Sequence, residues 1–124
     1  MIKGIGVDIV DVRRITALLG RYGESFVNRV LGPTELSMFT DRTDRPSFLA
    51  GRFAAKEAVI KSLAGMLPHR PPYGEIQIVT GTADQPTVKL SERYSDLTKR
   101  ISFLVSISHE KNYAVAMAMV QENE

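Results

Sequence analysis

From Ile101 onward the chain alternates with a period of two. Ile101, Phe103, Val105 and Ile107 fall on one face, and Ser102, Leu104, Ser106 and Ser108 on the other. Tyr113, Val115, Met117 and Met119 alternate in the same way with Ala114, Ala116 and Ala118. His109 to Asn112 between them is of hairpin size, so the pattern predicts two antiparallel strands, Ile101–Ser108 and Tyr113–Val120. Their small face, Ser and Ala, is expected to receive a helix. Ile2–Val10 reads as another strand, with Lys3, Ile5, Val7 and Ile9 on one face and Gly4, Gly6, Asp8 and Val10 on the other. Glycine weakens a strand and marks places where another backbone or a ligand comes close. Asp8 therefore projects from a face stripped of side chains. Glu75–Thr80 and Thr87–Leu90 predict a second hairpin through a Gly81–Pro86 turn.

The longest helical pattern is Phe48–Ala64, FLAGRFAAKEAVIKSLA. At about 100° per residue, Phe48, Leu49, Phe53, Val59, Ile60 and Leu63 form an apolar sector, and Ala50, Ala54, Ala58 and Ala64 a small one. Ser47 is the expected N-cap, with Pro46 outside it, and Gly65 the expected left-handed cap. A helix apolar or small nearly all round is buried. Its charges, Arg52, Lys56, Glu57 and Lys61, then need partners or a ligand. Glu57 and Lys61 can also form an ordinary pair one turn apart.

Shorter helices precede it. Asp11 can cap Val12–Leu19, which ends at Gly20 or Gly23 and buries Val12, Ile15 and Leu19. Arg14, Leu18 and Arg21 make a second stripe on that helix, suited to an acidic amphipathic helix of a partner. Glu24–Leu31 and a segment capped by Thr34 and running through Phe39 follow, then a loop over Asp41–Pro46. Met66–Gly74 is a Pro-rich loop whose His69 is assigned no role, and Ser91–Lys99 a short helix or loop. Together the elements predict an α+β chain of one domain, residues 1–124: a small antiparallel-rich sheet packed against a long central helix.

Composition narrows the chemistry. The 124 residues include no cysteine, which rules out a disulfide framework and thiolate chemistry. No apolar run approaches the ~20 residues of a membrane span. The start, MIKGIGVDIV, reads as a strand and not as a leader, so a cytoplasmic location is expected. A net charge of +2 and a pI near 9.0, without basic blocks, do not call for nucleic acid. If the helix crosses the sheet, Asp8, Glu57, Lys61 and His109 converge. Two carboxylates without cysteine suit a hard cation such as Mg²⁺, which takes one or two carboxylates and is completed by water and substrate phosphates. Such a site does phosphoryl-type transfer by positioning and charge stabilisation.

GIGVDIVDVRRI, FLAGRFAAKEAVIKSL and SISHEKNYAVAMA, in this order and spacing, resemble the signature segments of the holo-acyl-carrier-protein synthase family, the small single-domain 4′-phosphopantetheinyl transferases. The resemblance implies their fold and their reaction. Phosphopantetheine moves from coenzyme A to a serine of apo acyl carrier protein, adenosine 3′,5′-bisphosphate is released, and the product serves fatty acid biosynthesis. It implies Asp8 and Glu57 as Mg²⁺ ligands and catalytic residues, and Lys61 as a catalytic phosphate contact. Arg52, Gly65, Ser108 and His109 join Lys61 in the coenzyme A site, and Arg14, Leu18 and Arg21 dock the carrier. It also implies a homotrimer with each site between two subunits, and in that assembly Lys56 is expected to bridge to a neighbouring subunit. The chain departs from the family where Leu63–Met66 leads into the Pro-rich loop instead of a Gly-Thr-Gly turn, and where Asp84-Gln85-Pro86 replaces Gly-Lys-Pro. These departures motivate the alternative of a catalytically weak carrier-binding module.

Overall fold

The structure is a computed structural model that describes residues 1–81 and 83–124; Thr82, inside the predicted Gly81–Pro86 turn, lies outside the described residues. The elements run β1 (Ile2–Asp11), α1 (Val12–Tyr22), α2 (Glu24–Val30), α3 (Pro33–Thr40), α4 (Arg45–Ser62), β2 (Ile76–Thr80), β3 (Pro86–Leu90), α5 (Ser95–Thr98), β4 (Ile101–His109) and β5 (Tyr113–Glu122). The alternating segments are strands and the 3.6-period segments helices, as their patterns require. One sheet has the order β1-β5-β4 and is antiparallel throughout; β2 and β3 form a separate hairpin. This is the expected α+β arrangement.

Register decides which face meets α4. β5 sets Ala114, Ala116, Ala118 and Val120 opposite Val10, Asp8, Gly6 and Gly4 of β1. On its other edge the same four residues oppose His109, Ile107, Val105 and Phe103 of β4. Directly opposed residues share a face, so these twelve positions form the helix side. The β5 residues are fully buried there, as are Ala50, Ala54 and Ala58 of α4. Small residues on both partners let helix and sheet approach closely. The glycines of β1 go further: a Cβ on Gly4 would lie 1.9 Å from the Ser62 carbonyl oxygen, and one on Gly6 2.0 Å from that of Ala58. Thus α4 rests directly on the β1 backbone.

The expectation that both small faces receive the helix holds for β5 and fails for β4. There Phe103, Val105 and Ile107 turn inward, while Leu104, Ser106 and Ser108 are exposed. The larger apolar side chains of β4 fill the space left beyond the alanines of β5. The outer face of the sheet is uncovered and apolar, with Ile5, Val7, Ile9, Leu104, Val115 and Met117 all exposed.

Two predicted caps are corrected. The N-cap of α4 is Asp44, not Ser47, and Pro46 stands in the first turn. Proline is tolerated there because its missing N–H would have no helical acceptor. The helix ends at Ser62, and Gly65 adopts its left-handed φ of +86° in the turn beyond. For α3 the N-cap is Gly32 and not Thr34; Pro33 opens the helix, and the Glu35 carboxylate accepts from the Gly32 N–H at 2.9 Å. The Thr34 N–H instead donates to Gln77 Oε1 at 2.8 Å. Asp11 caps α1 as expected, accepting from the Arg13 N–H.

Candidate active site

Side chains from β1, α4 and the Pro-rich loop meet where the glycine face ends. Gly4 lies against Ser62 and Gly6 against Ala58, so β1 and α4 run in opposite directions. Two strand residues advance about 6.6 Å and four helical residues about 6 Å. The next step therefore brings Asp8 level with the turn that carries Glu57. Asp8 Oδ1 accepts from Lys61 Nζ at 3.1 Å, and Lys61 also donates to the Val7 carbonyl at 2.9 Å. Glu57 is mostly buried and accepts from both Arg70 Nη2 and the Tyr73 hydroxyl, both on Oε1. Arg70 donates to the same hydroxyl at 2.8 Å. Burial works against the Arg70 charge, but Glu57 and Tyr73 outweigh it and hold its pKa above the usual value. Burial and then the bond to the Glu57 carboxylate push the Tyr73 phenol up.

Beside these groups a cleft of about 360 Å³ is lined by Ile60, Lys61, Gly65, Leu67, His69 and Arg70, among others. His69, which the sequence left without a role, borders it and contacts Arg93 at 2.8 Å. No cluster of three or more His, Cys, Asp or Glu residues forms among the described residues. Asp8 and Glu57 nonetheless fit Mg²⁺, since that ion needs only one or two protein carboxylates and keeps water or takes phosphate oxygens for the rest.

The predicted site residues thus divide into two groups. Lys61 and Gly65 line this cleft, and Asp8 and Glu57 stand beside it, bonded to its wall residues Lys61 and Arg70. His109 does not join them within one chain: its strand is separated from β1 by β5, about 10 Å across. Arg52 is one helical turn from Phe48, over whose ring its guanidinium stacks at 4.4 Å; it donates to Thr80 Oγ1 at 3.2 Å. Burial pulls the Arg52 pKa down, and its Nε is buried with no partner. Ser108 is exposed on the outer face opposite Val115.

The α1 stripe borders a groove of about 470 Å³. Arg14 and Leu18 line it with Tyr22, Ser25, Phe26, Arg29, Phe53 and Tyr73. Arg21 stacks on the Tyr22 ring at 5.2 Å and is not part of the groove wall. Tyr73 belongs to this groove and also bonds Glu57, so the groove and the carboxylate adjoin at one side chain.

Lys56 does not bridge to a neighbouring subunit as expected. It is fully buried in its own chain, with Glu35 as buried partner. Its ammonium donates to Glu35 Oε1 and the Val30 carbonyl, each at 2.5 Å, and to the Tyr73 carbonyl at 3.0 Å. Glu35 Oε2 accepts from the Ile78 N–H at 2.9 Å. Burial pulls the Lys56 pKa down and Glu35 opposes that. The sequence carried no sign of Arg70 or Tyr73 beside Glu57, because it does not reveal how a Pro-rich loop folds back over a helix.

Residues 4–118 match the family model of the 4′-phosphopantetheinyl transferase superfamily. The chain is 42% identical to holo-[acyl-carrier-protein] synthase of Chlorobaculum parvum over 117 residues, covering 94% of this chain and 97% of that protein. It is 44% identical over 122 residues to the protein of the same name from Dehalococcoides mccartyi, with the same coverages. Among solved structures, the Neisseria meningitidis holo-[acyl-carrier-protein] synthase superposes with a TM-score of 0.88 at 29% identity, covering 98% of this chain and 99% of that one. The Helicobacter pylori synthase in complex with coenzyme A superposes at 0.81 with 32% identity, covering 94% and 99%. On the model match and the near-complete coverage of these relatives, the chain belongs to the 4′-phosphopantetheinyl transferase superfamily and, within it, to the holo-acyl-carrier-protein synthases.

Proposed function

We infer that the chain transfers the 4′-phosphopantetheine arm of coenzyme A to a serine of apo acyl carrier protein, releasing adenosine 3′,5′-bisphosphate, for fatty acid biosynthesis. The observation that carries the reading is that Asp8 and Glu57 are each bonded to a cation, Lys61 and Arg70, and that both cations wall one cleft. In the transfer, the serine oxygen bonds to the phosphorus next to the pantetheine, and the bond from that phosphorus to the bridging oxygen of the pyrophosphate breaks. A divalent cation on Asp8 and Glu57, Mg²⁺ by its preference for hard oxygen, would offset charge on the pyrophosphate. Lys61 donates to the phosphates and can protonate the departing oxygen. We assign the serine proton to Glu57, the carboxylate bonded to the groove residue Tyr73. The carrier docks its acidic helix on Arg14, Leu18 and Arg21, with the groove between α1 and α4 beneath it. One contiguous core cluster supports a single domain. Among the described residues no helix is long and apolar enough to cross a membrane, and the reading places the reaction in the cytoplasm.

The direct test is to incubate the protein with apo carrier protein, coenzyme A and Mg²⁺ and weigh the carrier. The expected outcome is the mass gain of one phosphopantetheine; no gain with carrier binding retained would leave only a binding module. Within the same assay, Arg14→Glu is expected to raise the KM for carrier about tenfold, the scale of a lost charge-assisted contact, with little change for coenzyme A. Equal changes for both substrates would remove the stripe from carrier docking.

The active assembly is proposed to be a trimer. Two features support it: the uncovered apolar sheet face, and the placement within one chain of His109 on β4, across β5 from Asp8, and of Arg52 on Phe48 and Thr80. A neighbour's His109 and Arg52 would complete each cleft. Asp8→Ala and His109→Ala chains should each be inactive alone and recover part of wild-type turnover when assembled together. A mixture no more active than its parts would place the whole site in one chain.

A further inference from the structure

Both carboxylates beside the cleft already carry a cation. Lys61 sits on Asp8, and Arg70 on Glu57. Both cations also line the same cleft. Arg70 comes from the Pro-rich loop Met66–Gly74 that follows α4. The Arg70 side chain is 55% exposed, against 15% for Glu57. Its loop is tethered three residues on, where the Tyr73 carbonyl accepts from buried Lys56. Pro71 and Pro72 stiffen the backbone between. What can move is therefore the long side chain of Arg70, not the loop.

We propose that Arg70 is a phosphate-binding residue held on Glu57 until a metal arrives. It stands in for the divalent cation in the metal-free chain. When the cation takes Glu57, the guanidinium is released into a cleft that offers it no other acidic side chain among its described lining residues. An anionic substrate, a pyrophosphate or phosphate monoester, is then its partner. Guanidinium suits this because its planar donors match phosphate oxygens in pairs. The Arg70 side chain is more than half exposed, so water screens its pair with Glu57 and solvates the guanidinium as it leaves. Metal and anionic substrate thereby favour each other through one side chain. The inference rests on the reading of Glu57 as a metal ligand.

The test is binding, not turnover. Mn²⁺ is titrated into the coenzyme-free chain and followed by electron paramagnetic resonance; coenzyme A binding in saturating Mg²⁺ is measured by calorimetry. Arg70→Gln is expected to bind Mn²⁺ about threefold more tightly, because the competing cation is gone. The same variant is expected to bind coenzyme A on the order of tenfold more weakly, because a charged donor is lost. Arg70→Lys should lie between wild type and Arg70→Gln on both measures. Opposite signs distinguish the exchange from damage to the loop, which would weaken both. Weaker Mn²⁺ binding, or unchanged coenzyme A affinity, overturns the proposal. Glu57→Gln separates this from the underlying reading: if Glu57→Gln binds Mn²⁺ like wild type, Glu57 is not a metal ligand. If Glu57→Gln loses Mn²⁺ while Arg70→Gln changes neither affinity, only the role of Arg70 fails.

Discussion

Alanine at Asp8 or Glu57 is expected to lower kcat by about 10²–10³-fold, the scale of losing one group that stabilises developing charge, while the melting temperature stays within a few degrees of wild type. The effect on fold is small for a physical reason. Asp8 lies at the end of the glycine face, beyond the contacts that seat α4 on Gly4 and Gly6. Its ion-pair partner, Lys61, has a half-exposed side chain and can be solvated when Asp8 is gone. Glu57 bonds Arg70 and Tyr73, neither of which is buried. Neither truncation strands a charge in the core, the usual cause of a large loss of stability. The effect on rate is large because the reaction moves a phosphoryl group by positioning and charge stabilisation alone. Turnover is measured in saturating Mg²⁺ with both substrates, alongside thermal unfolding of the same samples. Near-wild-type kcat in either variant would take that residue out of the reacting centre. Loss of both rate and melting temperature would mean that the side chain is structural.

Lys56→Met should have the opposite character: a destabilisation of about 3–5 kcal/mol, because it leaves the Glu35 carboxylate charged and buried. Glu35 would retain only the Gly32 and Ile78 N–H groups as partners. Glu35→Leu is expected to cost a similar amount, stranding the Lys56 ammonium against two carbonyls. Replacing both, as Glu35→Leu with Lys56→Met, should cost clearly less than the two single changes together, since no charge is then left unpaired. Urea unfolding of the four proteins gives the comparison. Additive costs, or single changes below about 1 kcal/mol, would show that the pair is not electrostatically coupled. The ion pair also reaches the site: Lys56 holds the Tyr73 carbonyl, and the Tyr73 hydroxyl bonds Glu57. A core pair and a candidate metal ligand are thus linked through one residue.

Adjacent residues on α4 show how unevenly the sequence speaks. Glu57 and Lys61 could be singled out because charge on an otherwise apolar or alanine helix is expensive unless it is used. Lys56 carries the same signal, but no local pattern names its partner: Glu35 stands 21 residues away, in a short helix of otherwise apolar and small polar residues. Ser47 was a plausible cap by residue type, yet the helix began earlier because proline costs nothing in a first turn. On β4 the period of two was right and the inward face was not. Alternation defines two faces; only pairing with β5 selects one of them.

By itself the sequence determined the strands and the long helix, and it marked Asp8, Glu57 and Lys61 as candidates. Those follow from short-range rules: periodicity, glycine where backbones touch, and charges set among alanines. The tertiary structure decided the rest. It set Arg70 and Tyr73 on Glu57, joined the α1 groove to the site through Tyr73, and buried Lys56 with Glu35. It also put His109 across β5 from Asp8 and Arg52 on Phe48 and Thr80, and left one sheet face bare. The physical reason is that a contact across many residues depends on how close two elements pack. Here that distance is set by backbone against backbone at Gly4 and Gly6, which no local pattern of polarity encodes.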